Sequence, residues 1–276
     1  MSTREFLTNV TFIVSVMAVG ALLEIVIPFF ASKRDGDRRR ANLAFTGLSF
    51  LMNWALSSIA AVLALSLRPA GLMSVTAWSP TLRIVLGVIL LDFSVGYLSH
   101  RTLHMSSWLW RFHRIHHCDD FVDVTTTYRT HPVETVWRFL FSVVPVWVVG
   151  LPAQAVLIQR LLQISFGIVE HSNIRLPRAV DRVLSVVLVT PNLHKVHHSR
   201  LITETNSNYA NVLTLWDRLL GTFTSSERAY SVVYGLDDAD PAQMASFPAL
   251  LAMPFATAET VSVSDANVRK STAPAR

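Results

Sequence analysis

The sequence predicts an all-α protein: a polytopic membrane bundle of about four to five membrane helices, with a cytoplasmic-side helical cap that carries most of its histidines. Composition is the first reason, because the 276 residues are 51% hydrophobic and only 16% charged, which is too apolar for an ordinary soluble domain. The second reason is a series of apolar runs that match the roughly 20 helical residues needed to cross a bilayer. The third is the distribution of basic residues, which orients these runs.

Three apolar runs precede the histidine-rich part of the chain. The first covers residues 6–30 and contains one carboxylate, Glu24. It is too long for the core of a signal peptide and is followed by no convincing cleavage site of small residues, so we expect it to be retained as a membrane helix. The second covers residues 41–67 and the third residues 81–99.

Two further runs, residues 133–150 and 153–169, are joined by the short segment "GLPA". Gly150 and Pro152 in this segment favour a turn. We therefore expect the two runs to form a helical hairpin.

Basic residues predict how the runs are oriented. The segment "SKRDGDRRR" between the first two runs contains five of them, and Lys and Arg are enriched in cytoplasmic loops. Counting alternate crossings from there brings the chain back to the cytoplasmic side at His100, and the hairpin returns there before His171. The net charge of +5 fits cations at span ends near anionic headgroups, so we expect no nucleic-acid partner.

Histidines recur at helical spacing in three short segments. These are "HRTLH" with His100 and His104, "HRIHH" with His113, His116 and His117, and "HKVHH" with His194, His197 and His198. Residues three or four apart share one face of a helix, so three short faces can surround a common centre. Imidazole binds Fe, Zn, Cu and Ni well, and eight imidazoles exceed the four ligands that a zinc site normally takes. The pattern favours two metal ions.

Other metal sites fit the pattern less well. A haem needs one axial ligand on each side of the porphyrin, which leaves adjacent histidines such as His116 and His117 without a role. A zinc hydrolase normally adds a glutamate base to three ligands, and the sequence contains no "HExxH". The only cysteine, Cys118, excludes a thiolate cluster. A histidine-rich metal-binding or transport protein without oxygenase activity remains the alternative, although it predicts ionisable residues along the middle of several spans.

In this order the three segments resemble the histidine boxes of the membrane-bound fatty acid hydroxylase and sterol desaturase superfamily, H-x3-H, H-x2-HH and H-x2-HH. The resemblance extends to "HPVET" (residues 131–135), "EHSNIRLP" (170–177) and "NYANVLTLWDRLLGT" (208–222), and it covers roughly residues 91–222. Relatives commonly carry glycine after "NY", where this chain has Ala210. The three residues within the first box favour the sterol-oxidising members.

The resemblance implies a non-haem di-iron centre and O2-dependent hydroxylation or desaturation of a lipid substrate, such as a sterol or a fatty acyl lipid. Members fused to cytochrome b5 carry a haem-binding "HPGG", which this chain lacks. Electrons are therefore expected from a separate cytochrome b5-like or ferredoxin-like protein. The implied organisation is residues 1–80 as N-terminal membrane helices, 81–225 as the catalytic domain, and 226–276 as an extension whose tail, from about residue 257, is disordered.

The expected metal ligands are all ten histidines: His100, His104, His113, His116, His117, His131, His171, His194, His197 and His198. His131 and His171 lie outside the three boxes, and each could instead orient a ligand or a bound water. Carboxylates near the membrane are functional candidates, so Glu170 and Asp92 are expected to act beside the metals. Asp92 could equally pair with an arginine or cap a helix.

Other polar side chains near the boxes are expected to have no catalytic role. Asp119, Asp120 and Asp123 fit a solvated acidic loop better than partners of the imidazoles. Trp216, Asp217 and Arg218 fit a structural role at the membrane boundary.

Overall fold

The structure, a computed structural model, describes residues 3–31, 35–67 and 71–256. The disordered tail expected from residue 257 lies outside these residues. Within them the chain is helical, and extended segments pair only through two isolated bridges, Pro28 with Ile174 and Leu188 with Leu213. The expected all-α class is confirmed.

The α-helices of the described residues are named in chain order. They are α1 (Thr3–Val26), α2 (Gly36–Leu67), α3 (Pro80–Leu91), α4 (Ser99–Met105), α5 (Ser107–His117), α6 (Pro132–Pro145), α7 (Ala153–His171), α8 (Arg178–Leu184), α9 (Pro191–His197), α10 (Ile202–Thr205), α11 (Leu215–Leu219), α12 (Pro241–Met244) and α13 (Phe247–Ala252). A π-helical turn, Asp92–Leu98, joins α3 to α4, and another, Val146–Gly150, extends α6. Single 3₁₀ turns lie at Leu72–Val75, Val124–Tyr128, Ser226–Ser231 and Met253–Phe255.

Four helical segments of the described chain are long and apolar enough to cross a membrane: Arg4–Val26, Gly36–Ala60, Pro80–Met105 and Pro132–Gly150. Their outward side chains are apolar and exposed, among them Leu22 and Val148 at 62% and 60%, as expected for helices that face lipid. The protein is therefore an integral membrane protein. The fifth expected run forms α7, 19 residues long, but it is not among these four segments.

The expected hairpin is present between α6 and α7. Gly150 adopts a positive φ of 72°, a conformation that glycine accepts without strain. The turn also packs tightly against a neighbouring loop, since a Cβ on Gly71 would lie 2.1 Å from the backbone nitrogen of Gly150. The hairpin is thus fixed to the loop that precedes α3.

Side-chain caps begin two of the helices that carry histidines. The Ser106 hydroxyl accepts from the backbone N–H of Leu109 at the start of α5, and the Thr190 hydroxyl accepts from that of Leu193 at the start of α9. Such caps satisfy N–H groups that have no partner within the helix. They fix where each histidine-bearing turn begins.

Close packing of α3 on α7 depends on Gly87. A Cβ at this position would lie 2.7 Å from the Cβ of Ala155, so we expect Gly87→Ala to destabilise the protein by about 1–3 kcal/mol through overpacking. Gly47 in α2 has no atom within 4 Å of its ideal Cβ position, which makes Gly47→Ala the matched control. Thermal unfolding in detergent measures both. Equal stability of the two variants would contradict this packing.

Candidate metal centre

Nine of the ten histidines converge in two groups. The ligand atoms within each group lie within 4.8 Å of one another. The five-histidine group consists of His100, His104, His113, His117 and His197, and the four-histidine group of His116, His171, His194 and His198. Each group has enough imidazoles to hold one metal ion.

The second and third histidine boxes each contribute to both groups. On α5, His113 and His117 face the five-histidine group, whereas His116 faces the other group. On α9 and the residue that follows it, His197 joins the five-histidine group, and His194 and His198 join the four-histidine group. The two groups are therefore adjacent: the rings of His116 and His117 have centroids 5.4 Å apart.

Hydrogen bonds to backbone carbonyls fix the protonation of three rings. The Nδ1–H groups of His100, His197 and His171 donate to the carbonyl oxygens of Tyr209, Ser207 and Gly167, at 2.8, 2.7 and 2.6 Å. A carbonyl can only accept, so each neutral ring keeps a bare lone pair on Nε2.

These bare nitrogens face each other at short distance. The Nε2 atoms of His100 and His197 are 3.1 Å apart, although neither has a proton to share. Lone pairs at this separation repel each other unless a cation lies between them. Two imidazole nitrogens bound about 2.1 Å from one metal ion at right angles are about 3 Å apart. The donor set and its spacing therefore fit a metal ion.

Glu134 orients His113 and was not expected as a site residue. Its Oε2 accepts from Nδ1 of His113 at 2.9 Å, and its Oε1 accepts from Nε of Arg138 at 2.8 Å. A carboxylate that holds the outer nitrogen of a ligand histidine fixes the ring and raises its basicity. Glu134 lies within "HPVET", but the sequence drew attention to His131 in that motif instead.

Burial favours the neutral form of several imidazoles on α5 and near α9. It lowers the pKa of His116, His117, His194 and His198 well below the usual range, with a smaller contribution from neighbouring imidazoles. The pKa of His197 falls to about 3, again chiefly through burial. Neutral rings have the free lone pairs that metal binding requires.

His104 is the most exposed of the grouped histidines. Its side chain is half-buried, whereas the other eight are buried. Its Nδ1 lies 3.3 Å from Oδ1 of the exposed Asn206, and its Nε2 is buried without a hydrogen-bond partner. The ring of Trp110 packs over His104 with centroids 5.0 Å apart. The five-histidine group is thus nearest the surface at His104.

The two non-box histidines are placed differently. His171, at the end of α7, lies within the four-histidine group. His131 lies outside both groups, where its Nδ1 accepts from the backbone N–H of Val133 and caps α6. The structure therefore gives His131 a local role at a helix start.

Glu170 lies beside the four-histidine group, and Asp92 lies farther away. Glu170 is buried, its carboxylate is 3.8 Å from Nδ1 of both His171 and His194, and its Oε1 accepts from Asn211 at 2.9 Å. Asp92 accepts from Gln159 at 3.2 Å and from Trp216 Nε1 at 2.8 Å. Asp92 thus joins helices rather than approaching the imidazoles.

The expectation of a solvated acidic loop is wrong for two of its three aspartates. Asp119 and Asp123 are each 1% exposed and form ion pairs with the buried Arg38 of α2. Burial alone would raise the pKa of Asp119, but Arg129 and Arg38 together with hydrogen bonds hold it below its usual value. Arg38 is therefore not a headgroup cation; it ties α2 to the end of α5.

Arg129 also supports the second box. Its guanidinium donates to the carbonyl of Ile115, to Asn42 Oδ1, to Cys118 Sγ and to the carbonyl of Met244. It thereby joins the end of α5 to α2 and to the C-terminal segment. The sequence offered no local signal for this role, because its partners are distant along the chain.

Comparison with known proteins identifies the family. The family model for fatty acid hydroxylase matches residues 84–222. An ornithine lipid hydroxylase of Rhizobium tropici is 30% identical over 262 residues, which cover 90% of this chain and 75% of that protein. The human alkylglycerol monooxygenase is 31% identical over 51% of this chain and 30% of its own length. The human cholesterol 25-hydroxylase is 26% identical over 49% of this chain and 48% of its own length. No solved structure gives a significant match.

The fold and the site define an integral membrane protein in which two groups of histidines, eight of them buried, bring their ligand atoms close enough to hold metal ions. The chain belongs to the fatty acid hydroxylase family, and the activity supported by this membership is O2-dependent lipid hydroxylation. A metal-binding or transport protein without oxygenase activity is not favoured.

Proposed function

We propose that this protein is a membrane lipid hydroxylase that binds two iron ions, one in each histidine group. The observation that carries the proposal is the set of converging Nε2 atoms, with neighbouring nitrogens 3.0–3.1 Å apart in both groups. Iron is the preferred metal because the reaction attacks an unactivated C–H bond, and zinc has no redox chemistry. Bound iron supplies the activation of O2.

The side chains around the centre have distinct tasks in this proposal. The nine grouped histidines hold the metals. Glu134 and the carbonyls of Tyr209, Ser207 and Gly167 hold the outer nitrogens of four of them. Glu170, held by Asn211, places a carboxylate next to the four-histidine group. This support keeps the rings aligned, which a reactive site needs.

The proposed substrate is a membrane lipid, and an ornithine lipid is the first to test. The ornithine lipid hydroxylase matches 90% of this chain, whereas the alkylglycerol and cholesterol enzymes match about half. Hydroxylation inserts one oxygen atom of O2 into a C–H bond and reduces the other to water, which consumes two electrons and two protons. We propose that a separate cytochrome b5-like or ferredoxin-like protein supplies the electrons.

We also propose that the centre faces the cytoplasm. The basic residues at the start of α2 support this orientation through the positive-inside rule, although Arg38 itself is buried in ion pairs. The same side would be accessible to a soluble electron carrier.

Lipid mass spectrometry of a host with and without the gene tests the activity. We expect a lipid class that gains one oxygen atom, and growth under ¹⁸O2 is expected to place the heavy isotope in that product. A host that expresses His197→Ala is the control. A lipid that loses two hydrogens without gaining oxygen would show desaturation, and oxygen that originates from water would contradict an oxygenase.

A further inference from the structure

The segment after Tyr209 runs along the third span, Pro80–Met105, away from the metal centre and then back towards it. Its start lies at the metal centre, where His100 Nδ1 donates to the carbonyl of Tyr209 at 2.8 Å. Farther along, Trp216 Nε1 donates to Asp92 at 2.8 Å. Asp92 precedes His100 by eight residues, which is about two turns of helix. The segment therefore reaches well into the depth of the span.

The segment then comes back towards the metal centre. Thr222 Oγ1 lies 3.0 Å from the hydroxyl of Tyr97, one turn before His100. The carboxylate of Asp217 holds the two limbs together, since it accepts from the backbone N–H groups of Tyr209 and Ala210 and from the hydroxyl of Thr222. Residues 209–222 thus form a closed loop. Both of its ends lie near the metal centre, beside Tyr97 and His100.

A second segment lies beside this loop. Residues 183–189 pair with it through the backbone: Thr214 N–H donates to the carbonyl of Val187, and Val189 N–H donates to that of Val212. The two segments present an apolar surface, here called the re-entrant patch. Its side chains are 43–71% exposed: Val183, Val186, Val187, Leu215, Leu219 and Leu220.

Part of the backbone of the two segments is paired internally. N–H groups at Val186, Val187 and Leu188 bond within the first segment, and those of Arg218 and Leu220 within the second. Two carbonyls of the first segment accept from side chains of the second, since Arg218 donates to the carbonyl of Ser185 and the Thr214 hydroxyl donates to that of Val186. Internal pairing lowers the cost of placing these backbone groups in hydrocarbon.

We propose that residues 183–188 and 213–220 form a re-entrant membrane element, whose patch inserts among the acyl chains of the leaflet next to the metal centre. The bilayer is the occupant because Trp216 of the second segment bonds Asp92 and packs on Phe93, with ring centroids 4.9 Å apart, at the middle of the third span, Pro80–Met105. The exposed Arg218 donates through one guanidinium nitrogen to the carbonyl of Ser185 and lies over the ring of Phe223 at 3.7 Å. Lipid chains would then lie directly beside the wall of the site.

Nitroxide labels test the insertion in the full chain reconstituted in vesicles of phosphatidylethanolamine and phosphatidylglycerol. Labels are attached at Val183→Cys and Leu219→Cys, and the unsubstituted protein reports background, since Cys118 is fully buried. We expect O2, which partitions into hydrocarbon, to relax both labels several-fold more than a water-soluble nickel chelate does.

Two equally exposed valines calibrate the measurement. A label at Val148, which is 60% exposed in the fourth span, Pro132–Gly150, gives the accessibility expected in lipid. A label at Val233, which is 59% exposed outside the spans, gives the accessibility expected in water. If the nickel chelate relaxes the labels at Val183 and Leu219 more than O2 does, the proposal is overturned. Protection from both reagents would also overturn it, because the patch would then be covered by protein. Neither result depends on bound metal or on activity, so the test is independent of the proposed function.

Discussion

His197→Ala is expected to reduce lipid hydroxylation by more than about 100-fold, beyond the roughly 10–100-fold that loss of a partner to a ligand histidine usually causes. The Nε2 of His197 faces that of His100 at 3.1 Å, and its ring lies against the rings of His117 and His104. Its removal opens the five-histidine group while leaving the four-histidine group complete. Product formation and iron content of the purified variant measure both effects, and we expect one iron ion to be lost.

His131→Asn is the matched control for this variant. His131 is also buried, but it lies outside both groups and caps α6 through a side-chain acceptor that asparagine can replace. We expect this variant to keep both iron ions and most of its activity. Loss of iron from His131→Asn, at a level similar to that in His197→Ala, would show that His131 is a ligand and that the two groups are incomplete.

Glu134→Ala is expected to lower metal affinity or activity by about 10–100-fold. The change leaves Nδ1 of His113 without its acceptor and Arg138 without its buried carboxylate. Glu134→Gln retains an oxygen that can accept from His113, so we expect it to recover most of the metal affinity. Titration of the apo-protein with iron or cobalt gives the affinities.

If Glu134 had a purely structural role, its variants would give different stabilities and metal affinities. In that case Glu134→Ala would lower thermal stability without weakening metal binding in the folded fraction, and Glu134→Gln would give no recovery of affinity. Measurement of unfolding temperature and metal affinity on the same samples separates the two roles.

Local spacing was enough to predict that the histidines of the three boxes lie close together. The boxes place histidines three and four residues apart, and these histidines lie on α4, on α5, and on α9 with the residue that follows it. Spacing could not show that His116 and His117 belong to different groups. That division depends on how the three helices pack, since adjacent residues on a helix point in directions about 100° apart.

Long-range partners were the part that the sequence could not reveal. Asp119 and Asp123 resembled a solvated loop because Arg38, which pairs with both, lies about 80 residues earlier. Glu134 was missed because His131 is the more conspicuous residue of the same motif. The apolar run at residues 183–189 is too short to cross a bilayer, so only its pairing with residues 212–214 reveals its position.

The iron content of the purified full chain tests the central claim most directly. Protein prepared from iron-replete cells without chelators is analysed by metal mass spectrometry and by absorption spectroscopy. Two iron ions per chain with no haem absorption band is the expected result, because each histidine group holds one ion. A chain that carries stoichiometric haem, or that retains no more than one metal ion when iron is in excess, would contradict a centre built from nine imidazoles.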